Sequence, residues 1–134
     1  MSNLAEKICI GEKQMSEDVK IMMFMFNETN NDLEYDSNHL EYGKFEQPPK
    51  TISANRGDRA FIACGTKGTA TGTEGWVKYK LSKTDYYVTT EFDIPYSKSN
   101  KIIIKTSDEV DAILEGSTEH GSPSVTLRVK MRHK

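Results

Sequence analysis

The chain has 134 residues, enough for one domain with a sizeable core, and its 18 basic and 20 acidic residues leave a formal net charge of −2. With both signs interspersed there is no broad basic surface, which excludes simple charge attraction to nucleic acid. No run of about 20 apolar residues is long enough for a spanning helix and no apolar block opens the chain as an export signal, so a soluble protein made in the cytoplasm is expected.

Residues 1–18 hold a few apolar side chains interrupted early by Gly11. They read as either a flexible extension or an extra edge strand, with the domain proper over 19–134. From there to the end, period-two alternation recurs between clusters of Gly, Asn, Asp, Ser and Pro, the pattern of an all-β sandwich or barrel. Residues 19–26, VKIMMFMF, are apolar at both parities and predict a central strand buried on two faces. NETNND follows as a break rich in turn residues. Residues 33–35 and 40–45 are short strand candidates, and the QPP at 47–49 interrupts pairing. Residues 51–53 and 60–64 flank ANRGD, a predicted hairpin turn in which Gly57 supplies positive φ. Its RGD is read as turn chemistry rather than as an integrin ligand.

GTKGTATGTEG, at residues 65–75, predicts a loose connection suited to a headgroup or sugar contact. It cannot be a P-loop, because a strand and not a helix follows it. Residues 76–81 then alternate, with Val77, Tyr79 and Leu81 on one face and Trp76, Lys78 and Lys80 on the other. Residues 87–94 repeat this, setting Val88, Thr90, Phe92 and Ile94 against Tyr87, Thr89, Glu91 and Asp93. Pro95 ends that strand, so Tyr96 is expected in a loop at one end of the sheet, or folded back to cap the core. Residues 101–106 and 111–115 supply two more strands. The last, 124–131, points Val125, Leu127, Val129 and Met131 inward. The total is nine or ten strands.

No nucleophile elbow, HExxH, P-loop or Rossmann fingerprint is present, and an enzyme is not expected. The acidic pairs Asp108/Glu109 and Glu17/Asp18 sit in polar connections and read as solvated. Cys9 and Cys64 form no CxxC pattern; they could form one disulfide, but free thiols are the favoured expectation. His39, His120 and His133 are scattered and read as surface residues rather than metal ligands; no cofactor is implied.

Five stretches in register resemble the aegerolysin family across residues 19–131. ATGTEGWVKYKL is similar to the family's GTxG segment in its bacterial form, and FDIPYSKSN to segments written WDCPWGSKTN or FDNPFAGSN. EYGKF resembles SWGKL, IACG resembles INACG, and GSPSVTLRV resembles the closing glycine-rich turn and strand. The resemblance implies an actinoporin-like antiparallel β-sandwich that binds particular membrane lipids. These are often sphingolipids, or membranes that also hold sterol. Many members act with a larger pore-forming partner, as in binary insecticidal toxins. By position, Tyr42 and Tyr96 would be the membrane-facing aromatics, with Lys44, Lys98 and the loop over 68–75 at a headgroup. Thr71 stands where fungal members carry a glutamate before GTTG, while Glu74 is an acid shared with bacterial members. Trp76 is a further contact of lower rank. The expectation is thus the lipid-binding part of a cytolytic, hemolytic or insecticidal system, released or packaged in crystals and acting at a target membrane. A lectin-like glycan-binding module and a self-associating scaffold are the rival classes.

Overall fold

The computed structural model describes residues 19–116, 118 and 121–133. Expectations for residues 1–18, which include Cys9, Glu17 and Asp18, and for His120 lie outside the described residues. Among the described residues nine strands form: β1 Lys20–Asn27, β2 Leu33–Tyr42, β3 Lys44–Gln47, β4 Arg56–Cys64, β5 Thr73–Leu81, β6 Tyr87–Ile94, β7 Lys101–Thr106, β8 Val110–Glu115 and β9 Ser124–Met131. They make two sheets, one ordered β3-β4-β1-β9-β8 and the other β2-β5-β6-β7. The expected all-β sandwich is therefore the fold. Among the described residues the ladders are antiparallel except one, because β1 runs parallel to β9 from Met22↔Ser124 to Asn27↔Val129.

The alternation read along β5, β6 and β9 places the core. Val77, Tyr79 and Leu81 face Ile21, Met23, Met25, Phe61, Leu127 and Val129, all buried. Each such aliphatic or aromatic side chain contributes roughly 1.5–3 kcal/mol by leaving water. Phe61 links the layers, its ring 6.0 Å from Phe45 and 5.9 Å from Phe92. A buried amide fixes the far end. Asn27 Nδ2 donates to the carbonyls of Asn31, Ile52 and Ser53, and its Oδ1 accepts from the Thr29 amide and hydroxyl.

Several expectations are corrected. β1 is central in its sheet, but only one of its faces is buried: Met22 and Phe24 are half-buried and Phe26 is exposed. In a two-layer sandwich the outer face of a central strand meets solvent, and here the Arg128 guanidinium shades the Phe26 ring at 4.8 Å. The two candidates at 33–35 and 40–45 are one bulged strand, β2, followed by a separate β3 in the opposite sheet. RGD is not a turn. Arg56, Gly57 and Asp58 begin β4 against Asn27, Phe26 and Met25, and the positive φ of the turn falls on Asn55 at 58°. Asn enters this region more readily than most non-glycine residues, and here its Nδ2 donates to Asn30 Oδ1 across the turn at 3.1 Å. Met131 continues the inward parity of β9 but lies past the core edge and is exposed. Cys64 is buried and disulfide-bonded rather than a free thiol. Which sulfurs meet is decided by the fold and not by motif spacing.

Candidate functional site

One end of the sandwich gathers the last residues of β2, β4 and β6 and the first of β3, β5 and β7. Two glycines let these segments interlock. At Gly43, φ +97°, the chain passes from one sheet to the other, and a Cβ there would lie 2.5 Å from the Cys64 carbonyl oxygen and 2.6 Å from Thr73 Oγ1. At Gly72, φ +74°, a Cβ would stand 2.2 Å from the Ile94 carbonyl oxygen and 2.8 Å from Pro95 Cα. Only glycine combines positive φ with such approach. The Thr73 hydroxyl closes the junction by donating to the Tyr42 carbonyl at 3.2 Å.

This junction projects the residues that the sequence singled out. Tyr42 ends β2 and Tyr96 follows Pro95, and each keeps 45% of its surface exposed. Of the two expectations for Tyr96, emergence in a loop is the one found. Lys44 opens β3 and Lys98 lies in the connection before β7, both exposed. Thr71 is exposed in the β4–β5 connection, its hydroxyl 3.3 Å from that of Thr69, which in turn donates to the Thr66 carbonyl at 2.8 Å. The connection ends sooner than expected. Thr73, Glu74 and Gly75 already belong to β5, because each has a ladder partner in β6.

Glu74 and Trp76 therefore project from a strand, onto the outer face of the β2-β5-β6-β7 sheet. There they join an open concavity of about 440 Å³ lined by His39, Glu41, Glu74, Gly75, Trp76, Glu91, Phe92, Asp93, Lys101 and Ile103. Register builds it in two rows. One runs His39–Trp76–Glu91–Ile103, the other Tyr42–Glu74–Asp93–Lys101. Trp76 is half-buried, between His39 and Glu91 across the ladder. The lysine expected beside it turns away, since the Lys78 ammonium sits 5.1 Å over the Tyr87 ring. Glu41 Oε1 accepts from His39 Nε2–H at 3.2 Å, and Glu91 pairs with Lys105 at 3.0 Å. Among the described residues no group of three His, Cys, Asp or Glu is placed to hold a metal ion.

The structure thus divides the sequence-derived set. Tyr42, Lys44, Thr71, Tyr96 and Lys98 belong to the end of the sandwich, whereas Glu74 and Trp76 belong to the concavity beside it. Sequence reasoning missed His39, Glu41, Glu91, Asp93 and Lys101 as neighbours of Trp76. The signal was partial: outward parity placed Glu91 and Asp93 on the solvent face of β6, but only the register of four strands puts them beside an indole.

The sequence model of the Aegerolysin family matches residues 16–130. Among curated proteins none matches the chain. Solved structures share the fold. The RahU protein, solved in complex with a TRIS molecule, superposes with a TM-score of 0.75 at 17% identity, covering 87% of this chain and 97% of its own. The lipid binding protein Nakanori gives 0.73 at 13% identity, covering 85% and 71%. IP-1A from Alcaligenes faecalis gives 0.69 at 17% identity, covering 88% and 94%.

Proposed function

The chain belongs to the aegerolysin family, and from that premise we propose that it binds membrane lipid through the end of the sandwich that carries Tyr42 and Tyr96. The observation that carries this reading is the exposure of both rings at 45%, at a junction otherwise locked by glycine contacts. A phenol has an apolar ring for the acyl boundary and a hydroxyl for the headgroup layer, so a half-exposed tyrosine at a rigid edge suits a bilayer interface. Lys44 and Lys98 at the same end supply cations for lipid phosphate. Among the described residues no helix is long and apolar enough to cross a membrane. Contact at a surface is the mode that fits a rigid end of this kind. The fold likeness to a protein described as lipid binding supports the reading.

The finer assignment is a sphingolipid-selective receptor component of a cytolytic or insecticidal system that concentrates a larger pore-forming partner on the membrane. A modest lipid affinity suffices for that role, because surface binding raises the partner's local concentration. The reading is tested by cosedimentation with vesicles of graded sphingolipid and sterol content, using the wild type, Tyr42→Ala and Tyr96→Ala. Each substitution is expected to weaken partitioning about tenfold, from the apolar area of one ring, with an unchanged circular dichroism spectrum. Absence of wild-type binding to every composition, insect lipid extracts included, overturns it.

A further inference from the structure

We propose that the outer face of the five-stranded sheet, where β1, β3 and β4 meet, is the docking surface for residues 1–18 of this chain, fastened there by a Cys9–Cys64 disulfide. Parity defines the face. Ile21, Met23, Phe61 and Ala63 point into the core, so their neighbours Lys20, Met22, Ile62 and Cys64 point the other way. In a two-layer sandwich the second sheet cannot reach that side, and its side chains ordinarily meet water. Farther along the same face they do: Phe26 is 37% and Ile113 51% exposed. Ile62 and Cys64 are not, at 4% and 0%. The Lys20–Glu46 ion pair beside them is largely covered too, and Glu46 Oε1 is shut off from water with the Lys20 ammonium 3.8 Å away. Charged side chains on an open sheet face stay wet. This patch is therefore covered.

The disulfide says by what. Cys64 is bonded through its sulfur, and the chain has one other cysteine, Cys9. Cys9 stands ten residues before Val19, a length that spans up to roughly 33 Å when extended. The gap to be closed is far shorter. Lys20 and Cys64 are ladder partners, and the Gly65 amide donates to the Val19 carbonyl at 3.0 Å. Residues 10–18 thus have length to spare for leaving the sheet at Val19, turning, and returning to Cys64 over its outer face. The segment also brings suitable chemistry, since Leu4, Ile8 and Ile10 around Cys9 offer apolar side chains to Ile62 and Met22. Of the other residues outside the described set, 117, 119 and 120 belong to the β8–β9 connection, on the far side of β1 from β4. Residue 134 follows β9, and none of these four is a cysteine.

The dock adjoins the end that carries Tyr42, because Lys44 and Cys64 are ladder partners. It does not rest on lipid binding there. Its occupant is a segment of the same chain, and its closure depends on the bond to Cys64 staying oxidised.

Two measurements test it on the full chain. The protein is purified in air, any free thiols are alkylated, and it is digested with trypsin without reduction. The expected product links peptide 8–13 to peptide 60–67, from a protein that runs as a monomer on a non-reducing gel. Free thiols at both positions, or a Cys64–Cys64 bond between two chains, overturn the proposal. Docking is read separately in the variant Ile8→Asp/Cys9→Ser/Ile10→Asp, which alters nothing in the sandwich. Its circular dichroism and Trp76 emission should match wild type. Cys64 is then the sole thiol, and its alkylation by iodoacetamide should run within about tenfold of the rate in urea, because the uncovered thiol faces water. A slower reaction means that the sandwich covers this face by itself, and overturns the proposal.

Discussion

Tyr79 carries its ring into the middle of the core and still finds an acceptor, the Lys50 carbonyl, 2.7 Å from its hydroxyl. Burial pushes the phenol well above its ordinary value. The consequence has a definite sign. Below about pH 10 both native and unfolded chains keep the proton, and the contribution to stability is complete. Above it the unfolded chain releases a proton that the native chain retains, so stability falls by about 1.4 kcal/mol per pH unit for this group. Tyr79→Phe is expected to remove that part of the alkaline slope while costing about 1 kcal/mol at neutral pH, the net worth of one hydrogen bond. Urea denaturation between pH 7 and 11 measures both, and an unaltered slope in the variant contradicts the assignment. Asn27 shows the limit of reading single residues from a string. NETNND is legible as a turn, but nothing in it marks its first residue as the buried amide that ties the turn to residues 52 and 53.

At the scale of elements, two glycines of one connection separate conformational from steric demand. Gly72→Val meets both a positive φ and the Ile94 carbonyl, and is expected to destabilise the fold by roughly 2–4 kcal/mol. Gly68→Ala, at φ +85° with open space around it, meets only the first and should cost about 1–2 kcal/mol. Thermal unfolding of the two variants ranks them, and equal losses would show that the interlock with Pro95 is not rigid. β5, β6 and β9 were legible because alternation reports one-sided burial. β1 was not, since a strand apolar at both parities looks the same whether its second face is covered or only shaded by Arg128. The split of β2 from β3 was hidden for a different reason: Tyr42–Gly43–Lys44 keeps a strand-like composition while the chain changes sheets. The tyrosines of the candidate end could be placed from Pro95 and from family resemblance. Long-range register, which no local pattern encodes, was needed to bring His39, Trp76, Glu91 and Ile103 into one row.

For the whole molecule, the two sheets are held by contacts between residues distant in sequence, and Cys64 adds a covalent link at the end of the sandwich that carries Tyr42. Reduction is expected to lower the unfolding midpoint by several degrees, as a bond of about 2–4 kcal/mol requires, while Cys64→Ser should be indifferent to reductant. A midpoint in wild type that ignores reductant sinks this prediction. The parallel pairing of β1 with β9 also sets how the domain bears load. β1 starts at the candidate end and β9 finishes at the opposite one, where Arg132 N–H donates to the Glu109 carbonyl at 2.9 Å. Tension applied between Lys20 and Met131 therefore slides two neighbouring central strands past each other. Every rung of that ladder is stretched at once instead of opening one by one from an end. Anchored to a bilayer at one end and pulled through its C-terminal strand at the other, the sandwich resists as a shear joint and not as a zipper.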